Sequence, residues 1–269
     1  MSDNTSTSLK PELSVENHAE VRIAPYYQHA GISIYHGDCR EILPTLPKVD
    51  LVLTDPPYGV NLGTHDASKE KRPQYLAKQK YASYEDTYAN FLDVVVPVVE
   101  AAIKLSDRAI VFCAGTMMWD FPRPTAVGGV YLPAACGRNA WGFSSLAHCM
   151  FYGSSPDLQK GSKAIAIAST DTGEKNGHPC PKPLSWMRWL VSLGSRVGET
   201  VLDPFMGSGT TLVAAKQLYR NAIGIEIEER YCEIAAKRLS QEVFDWGIPQ
   251  ITKGESDASD NLFSTLESA

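Results

Sequence analysis

The sequence has no apolar run approaching the roughly 20 residues that a bilayer span needs. Its first residues, MSDNTSTSLKPEL, hold no apolar signal core. The expectation is a soluble, cytoplasmic protein with no membrane partner. Six cysteines (Cys39, Cys113, Cys136, Cys149, Cys180, Cys232) are scattered, with no CxxC pair and no histidine at zinc spacing. That pattern argues against a disulfide framework and against a metal site. Gly and Pro, at 20 and 17 of 269 residues, are near average, which excludes collagen-like and low-complexity classes. No repeat recurs at a period of about 20–50 residues.

Net charge is −6, but unevenly spread. Asp3, Glu12, Glu16 and Glu20 face only Lys10 near the start, and Glu255, Asp257, Asp260 and Glu267 face only Lys253 near the end. Each end is therefore −3, and residues 21–251 are neutral. The polar segment 1–28 and the acidic tail 246–269 are expected to be disordered. Between them, residues 29–245 are expected to form one domain, with loop insertions at 61–83 and 114–142.

Within that domain, Ile32–Tyr35 and the more continuously apolar Val49–Thr54 read as strands, the second buried on both faces as parallel strands are. Tyr84 to about Leu105 reads as a buried helix kinked at Pro97, followed by a strand over 109–113. Residues 114–142, rich in Gly, Pro and aromatics, read as irregular. Strands are expected over 146–152 and 164–168, then a helix opened by Pro181-Lys182-Pro183. Thr200–Asp203 and Asn221–Ile227 are further strands, each followed by a helix. This alternation predicts a doubly wound, Rossmann-like α/β fold with a mostly parallel sheet and one antiparallel hairpin strand.

Two turns carry chemistry. The first, Asp203-Pro204-Phe205-Met206-Gly207-Ser208-Gly209-Thr210, joins a strand directly to a helix. Its glycines let backbone approach a ligand closely, at a helix N-terminus. Glu226, 19 residues after Gly207 at the end of the next strand, is where an acidic side chain can accept both ribose hydroxyls of a nucleoside. The lysine of a phosphate loop is missing, and Leu212 stands where a dinucleotide fingerprint has its third glycine. An adenosine pocket without a pyrophosphate turn suits S-adenosylmethionine better than NAD.

The second turn, Asp55-Pro56-Pro57-Tyr58, ends a buried strand at the sheet edge where α/β folds place ligands. Two prolines stiffen it and remove two N–H donors, leaving carbonyls and a carboxylate as acceptors. Such a corner suits the exocyclic amine of a nucleobase, with Tyr58 as a stacking face.

On these residues the chain resembles the amino-group (N6-adenine or N4-cytosine) DNA methyltransferases. Asp55–Tyr58 is similar to their catalytic motif and Asp203–Thr211 to their cofactor motif. The order, catalytic before cofactor, resembles the permuted β group. His36-Gly37-Asp38-Cys39 is similar to the segment before the catalytic strand, and the resemblance implies cofactor contact by Asp38 and Cys39. His178-Pro179-Cys180-Pro181-Lys182-Pro183 is similar to the HPxxKP motif, which implies that Lys182 lies near the methionine part of S-adenosylmethionine. Asp203, Pro204, Phe205, Gly207, Ser208, Gly209, Thr210 and Glu226 complete the implied cofactor set. Only 24 residues separate Gly153 from His178, too few for a separate recognition domain.

The resemblance implies transfer of a methyl group to a flipped base in double-stranded DNA. An aspartate heading the turn favours adenine N6, with cytosine N4 as the alternative. Lys69, Lys71, Arg72, Lys78 and Lys80, interleaved with Tyr75 and Tyr81, follow the catalytic turn and could meet phosphates. Arg123 and Arg138 are weaker candidates for base contacts, and His148 and His178 read as structural. A homodimer and a cognate restriction endonuclease are the further partners considered. The rival readings are an RNA or protein amide methyltransferase, disfavoured by motif order, a non-catalytic nucleic-acid binding module, and a dehydrogenase.

Overall fold

The computed structural model describes residues 23–60, 84–133, 137–139, 142–157, 165–171 and 181–240, with only the backbone at 137–139 and 142–143. Its main sheet has nine strands: β1 (Tyr27–His29), β2 (Ile32–His36), β3 (Val49–Thr54), β4 (Ser106–Cys113), β5 (Ala126–Tyr131), β8 (Leu146–Tyr152), β9 (Ala166–Ala168), β10 (Thr200–Asp203) and β11 (Asn221–Glu226). The short β6 (Gly137–Asn139) and β7 (Gly142–Ser144) form a separate pair. The spatial order is β1-β2-β11-β10-β3-β4-β8-β5-β9.

Strands β2, β11, β10, β3 and β4 run parallel, as their apolar character predicts. Two strands run against them. β8 lies antiparallel between β4 and β5, and β1 folds back onto β2. The expected single antiparallel strand is thus two. β1 also begins inside the segment expected to be disordered. Its turn, Ala30-Gly31, has φ of 49° and 77°, the positive pair that a two-residue hairpin requires.

Side chains alternate between two helical layers. Leu51, Leu53, Ile110, Phe112 and Val201 face α4 (Leu184–Gly194), α5 (Thr210–Gln217) and α6 (Glu229–Ser240). Val49, Val52, Ala109 and Leu202 face the opposite layer, where α1 (Cys39–Ile42) and α3 (Val96–Lys104) pack. Gly194 lets α4 sit close on the sheet, since a Cβ there would come within 2.9 Å of Leu51 methyls.

The helix expected over 84–105 is shorter and uneven. It begins at α2 (Tyr88–Asn90), capped by Thr87, widens into a π turn at Phe91–Val95, and continues as α3. Pro97 stands in the first turn of α3, where its missing N–H and its ring are tolerated because the wider turn precedes it. Segment 114–142 also departs from expectation, because β5 runs through its glycines. A Cβ at Gly128 would lie 2.0 Å from the Ile165 carbonyl oxygen, and one at Gly129 1.9 Å from that of Ala147. Glycine there permits close strand approach rather than irregularity. Pro183 is the N-cap of α4 rather than its first helical residue. No helix among the described residues is long and apolar enough to cross a membrane.

Candidate active site

Four adjacent strands, β2, β11, β10 and β3, end at one edge of the sheet. They carry Asp38, Glu226, Asp203 and Asp55 at or just beyond their carboxyl ends. From β10 the chain enters α5 on one layer, while from β3 it runs on toward α3 on the other. The boundary between these two strands is therefore a topological switch point, where open α/β sheets leave a crevice. A cavity of about 380 Å³ opens there, lined by Asp38, Asp55, Tyr58, Lys182, Phe205, Gly207 and Glu226 among others. That volume lies within the range of small-molecule sites.

Asp203 is the joint between the two motifs. It is 3% exposed and accepts hydrogen bonds from Thr54 Oγ1 at 2.7 Å, Thr211 Oγ1 at 2.5 Å and the Phe205 N–H at 3.1 Å. The Thr54 bond crosses from β10 to the residue immediately before Asp55, so the two turns are tied laterally. Burial pushes the Asp203 carboxyl up to about 6, against the pull of its three donors.

The glycine turn is closed by Glu226. Its Oε2 accepts the Gly207 N–H at 3.0 Å and its Oε1 the Glu228 N–H at 2.9 Å. Each oxygen keeps a second lone pair. Burial pushes this carboxyl up to about 7, opposed by those two N–H bonds. Gly209, with φ of 78°, caps α5 in the left-handed region, and Arg238 from α6 donates to the Ser208 carbonyl at 2.6 Å. Asp38 caps α1 and is gripped by Arg40, whose hydrogen bonds hold its carboxyl below the usual range.

At the proline corner, Asp55 Oδ1 accepts the Tyr58 hydroxyl at 2.5 Å, and Oδ2 accepts Lys182 Nζ at 2.5 Å. Burial, then the Asp55 charge and hydrogen bond, push the Tyr58 phenol well up, so it stays a neutral donor. The chain leaves this corner through Gly59, with φ of 67°, whose N–H is taken by buried Asp86 at 2.7 Å. A Cβ at Gly59 would meet Phe91 at 2.7 Å, so the corner rests directly on the π turn.

Comparison with known proteins agrees with this arrangement. Residues 134–237 match the N6/N4 methyltransferase family model, described as DNA methylase. The type II methyltransferase M.ScaI of Streptomyces caespitosus is 26% identical over 81% of this chain and 84% of its own length. M.HinfI of Haemophilus influenzae, also a type II methyltransferase, is 25% identical over 78% and 68%. The matched segment and these relatives make the chain similar to the N6/N4 amino-methyltransferases. Its fold matches the M1.HpyAVI–SAM complex with a TM-score of 0.57 at 23% identity, over 78% of this chain and 100% of that one. The cytosine-N4-specific PvuII DNA methyltransferase gives 0.58 at 17% identity, over 81% and 90%.

The residues singled out in both turns meet at one cavity. Asp55, Pro56, Pro57 and Tyr58 line it, as do Asp38, Cys39, Lys182, Asp203, Pro204, Phe205, Gly207, Ser208, Thr210 and Glu226. Gly209 is not among its lining residues; its place is under α6, where a Cβ would lie 2.7 Å from that of Ala235. Lys69, Lys71, Arg72, Lys78 and Lys80 lie outside the described residues, as do Tyr75, Tyr81, His178 and Cys180, and Arg138 is described only in its backbone. His148 lies half-buried on β8 beside Gly115, with burial lowering its pKa. Cys39, Cys113 and Cys232 are buried with thiols pushed up to about 12, and Cys149 is shifted further the same way.

Sequence reasoning missed Thr54, Asp86 and Arg40, and it missed the bond between Lys182 and Asp55. Thr54 had a signal, a hydroxyl residue buried next to the corner. Asp86 had none, being 27 residues from the Gly59 it holds.

Proposed function

We propose that this chain methylates the exocyclic amine of a base flipped out of double-stranded DNA, with adenine N6 as the target and S-adenosylmethionine as the methyl donor. The observation that carries the reading is the common cavity, with an acceptor-lined corner at Asp55–Tyr58 and a glycine turn closed by Glu226.

The residues present fit the proposed donor. Glu226 retains lone pairs for the two ribose hydroxyls, Gly207 and Ser208 bring backbone to the cavity wall, and Asp38, Cys39 and Phe205 line the nucleoside side. When bound, S-adenosylmethionine supplies an electrophilic methyl group on a sulfonium. The chain's own part is to present the nucleophile. Asp55 and the Pro56 carbonyl each accept one amine hydrogen, which keeps the nitrogen lone pair off the ring and aimed at the methyl. As the N–C bond forms the C–S bond would break to leave S-adenosylhomocysteine, and the amine would lose one proton to solvent during or after transfer. Tyr58 offers the aromatic face on which the base rests. Acceptors fixed before the substrate arrives cost no reorganisation during reaction, and alignment supplies much of the remaining gain.

The aspartate heading the corner supports adenine N6 over cytosine N4. The two type II relatives support a setting with a companion endonuclease recognising the same DNA sequence.

Asp55→Ala is expected to abolish methyl transfer to DNA while binding of S-adenosylhomocysteine, read by calorimetry, persists. Undiminished transfer by that variant would remove Asp55 from the reaction. Expression in a methylation-free host, with long-read detection of modified bases, reads the base and its sequence context. N4-methylcytosine there would replace the adenine reading, and unmodified DNA would refute both.

A further inference from the structure

Lys182 reaches Asp55 from 127 residues away in the chain. It stands between Pro181 and Pro183, whose fixed φ values leave the backbone beneath it few alternatives. Its ammonium also lies 5.1 Å from the Phe112 ring centroid and 5.7 Å from that of Tyr58. The two charged side chains are 18% and 24% exposed, so water screens this pair far less than an ordinary surface bridge.

Among the described residues, the other groups whose titration the Asp55 charge shifts are acids. They are Tyr58 on the same turn, Asp203 on β10, Cys113 on β4 and Cys149 on β8. Among the described residues, Lys182 is the cation paired with Asp55. Arg40, also at the cavity, is spent on Asp38.

The geometry points to Lys182 as a positioning residue for methyl transfer. By holding Oδ2 it fixes the plane of the Asp55 carboxylate, so that Oδ1, which among the described residues is held by a neutral phenol, is the oxygen offered to the target amine. The Tyr58 hydroxyl yields that place when the base enters, and the amine N–H takes it. This inference rests on the methyltransferase reading and departs from the expectation that Lys182 serves the cofactor's methionine part.

The test uses the full chain with Lys182→Met and Lys182→Arg, measuring S-adenosylhomocysteine affinity by calorimetry and single-turnover methyl transfer at saturating cofactor and DNA. A carboxylate free to turn misplaces its acceptor, so Lys182→Met should lose about 100-fold in single-turnover rate. Its S-adenosylhomocysteine affinity should stay within about threefold of wild type. Lys182→Arg, which keeps a charge-assisted bond to Oδ2, should recover most of the rate. Lys182→Gln, a donor without charge, should fall between them and carries the test if Lys182→Met melts early.

A Lys182→Met rate within about threefold of wild type overturns the inference, as does a defect confined to cofactor affinity. Failure of Lys182→Arg to recover the rate also overturns it. A wild-type chain inactive on DNA refutes the methyltransferase reading and this inference together. An active wild type with an unimpaired Lys182→Met refutes this inference alone.

Discussion

Thr54→Val tests the joint between the two turns with the smallest available change. The side chain is fully buried and its hydroxyl donates to Asp203 Oδ1 at 2.7 Å, so valine keeps the shape and removes one donor. A hydrogen bond to a charged group contributes about 1.5–3 kcal/mol, and Asp203 would keep Thr211 and the Phe205 N–H. A loss near 2 kcal/mol corresponds to roughly 4–8 °C in melting temperature for a domain of this size.

The deficit should depend on pH with a definite sign. Burial raises the Asp203 carboxyl to about 6, and its donors oppose that shift. Without Thr54 the carboxyl takes up its proton at higher pH than in the wild type. Well below both values it is neutral in both proteins and the deficit is smallest; above both it is ionised and the deficit is complete. Differential scanning calorimetry at pH 5 and pH 7.5 should therefore show a gap that widens with pH. Melting within about 1 °C of wild type at pH 7.5 would refute the joint, and an equal gap at both pH values would refute the assignment to an ionised Asp203.

In the proposed ribose role the Glu226 carboxyl, raised to about 7 by burial, would have to be ionised to accept from both hydroxyls. S-adenosylhomocysteine affinity should tighten between about pH 6 and 8 and release a proton, seen by calorimetry in buffers of different ionisation enthalpy; Glu226→Gln should bind more weakly and show no such trend. Gly209→Ala meets both a left-handed φ of 78° and an Ala235 Cβ at 2.7 Å, whereas Gly198→Ala meets a φ of 82° but nothing within 4 Å. By thermal melting the first should cost about 2–4 kcal/mol and the second about 1–2; equal losses would show that the approach of α6 is immaterial.

The elements legible in the chain are those whose signal is local. Val49–Thr54 shows its two-sided burial in continuous apolar residues, and the stop after it in two consecutive prolines. Asp203 through Thr211 declares strand, tight turn and helix start within nine residues, and Glu226 follows at the end of the adjacent strand. β5 was hidden because its glycines look like loop composition; their reason is the backbone of Ile165 and Ala147 on either side.

The joint and the ion pair at the corner were hidden for a related reason. Thr54 meets Asp203 across 149 residues, and Lys182 meets Asp55 across 127. Local dihedral preferences and hydrophobic periodicity specify single segments. Which carboxylate a buried hydroxyl or ammonium reaches depends on the order of strands in the sheet, and packing sets that order only once the whole core has closed.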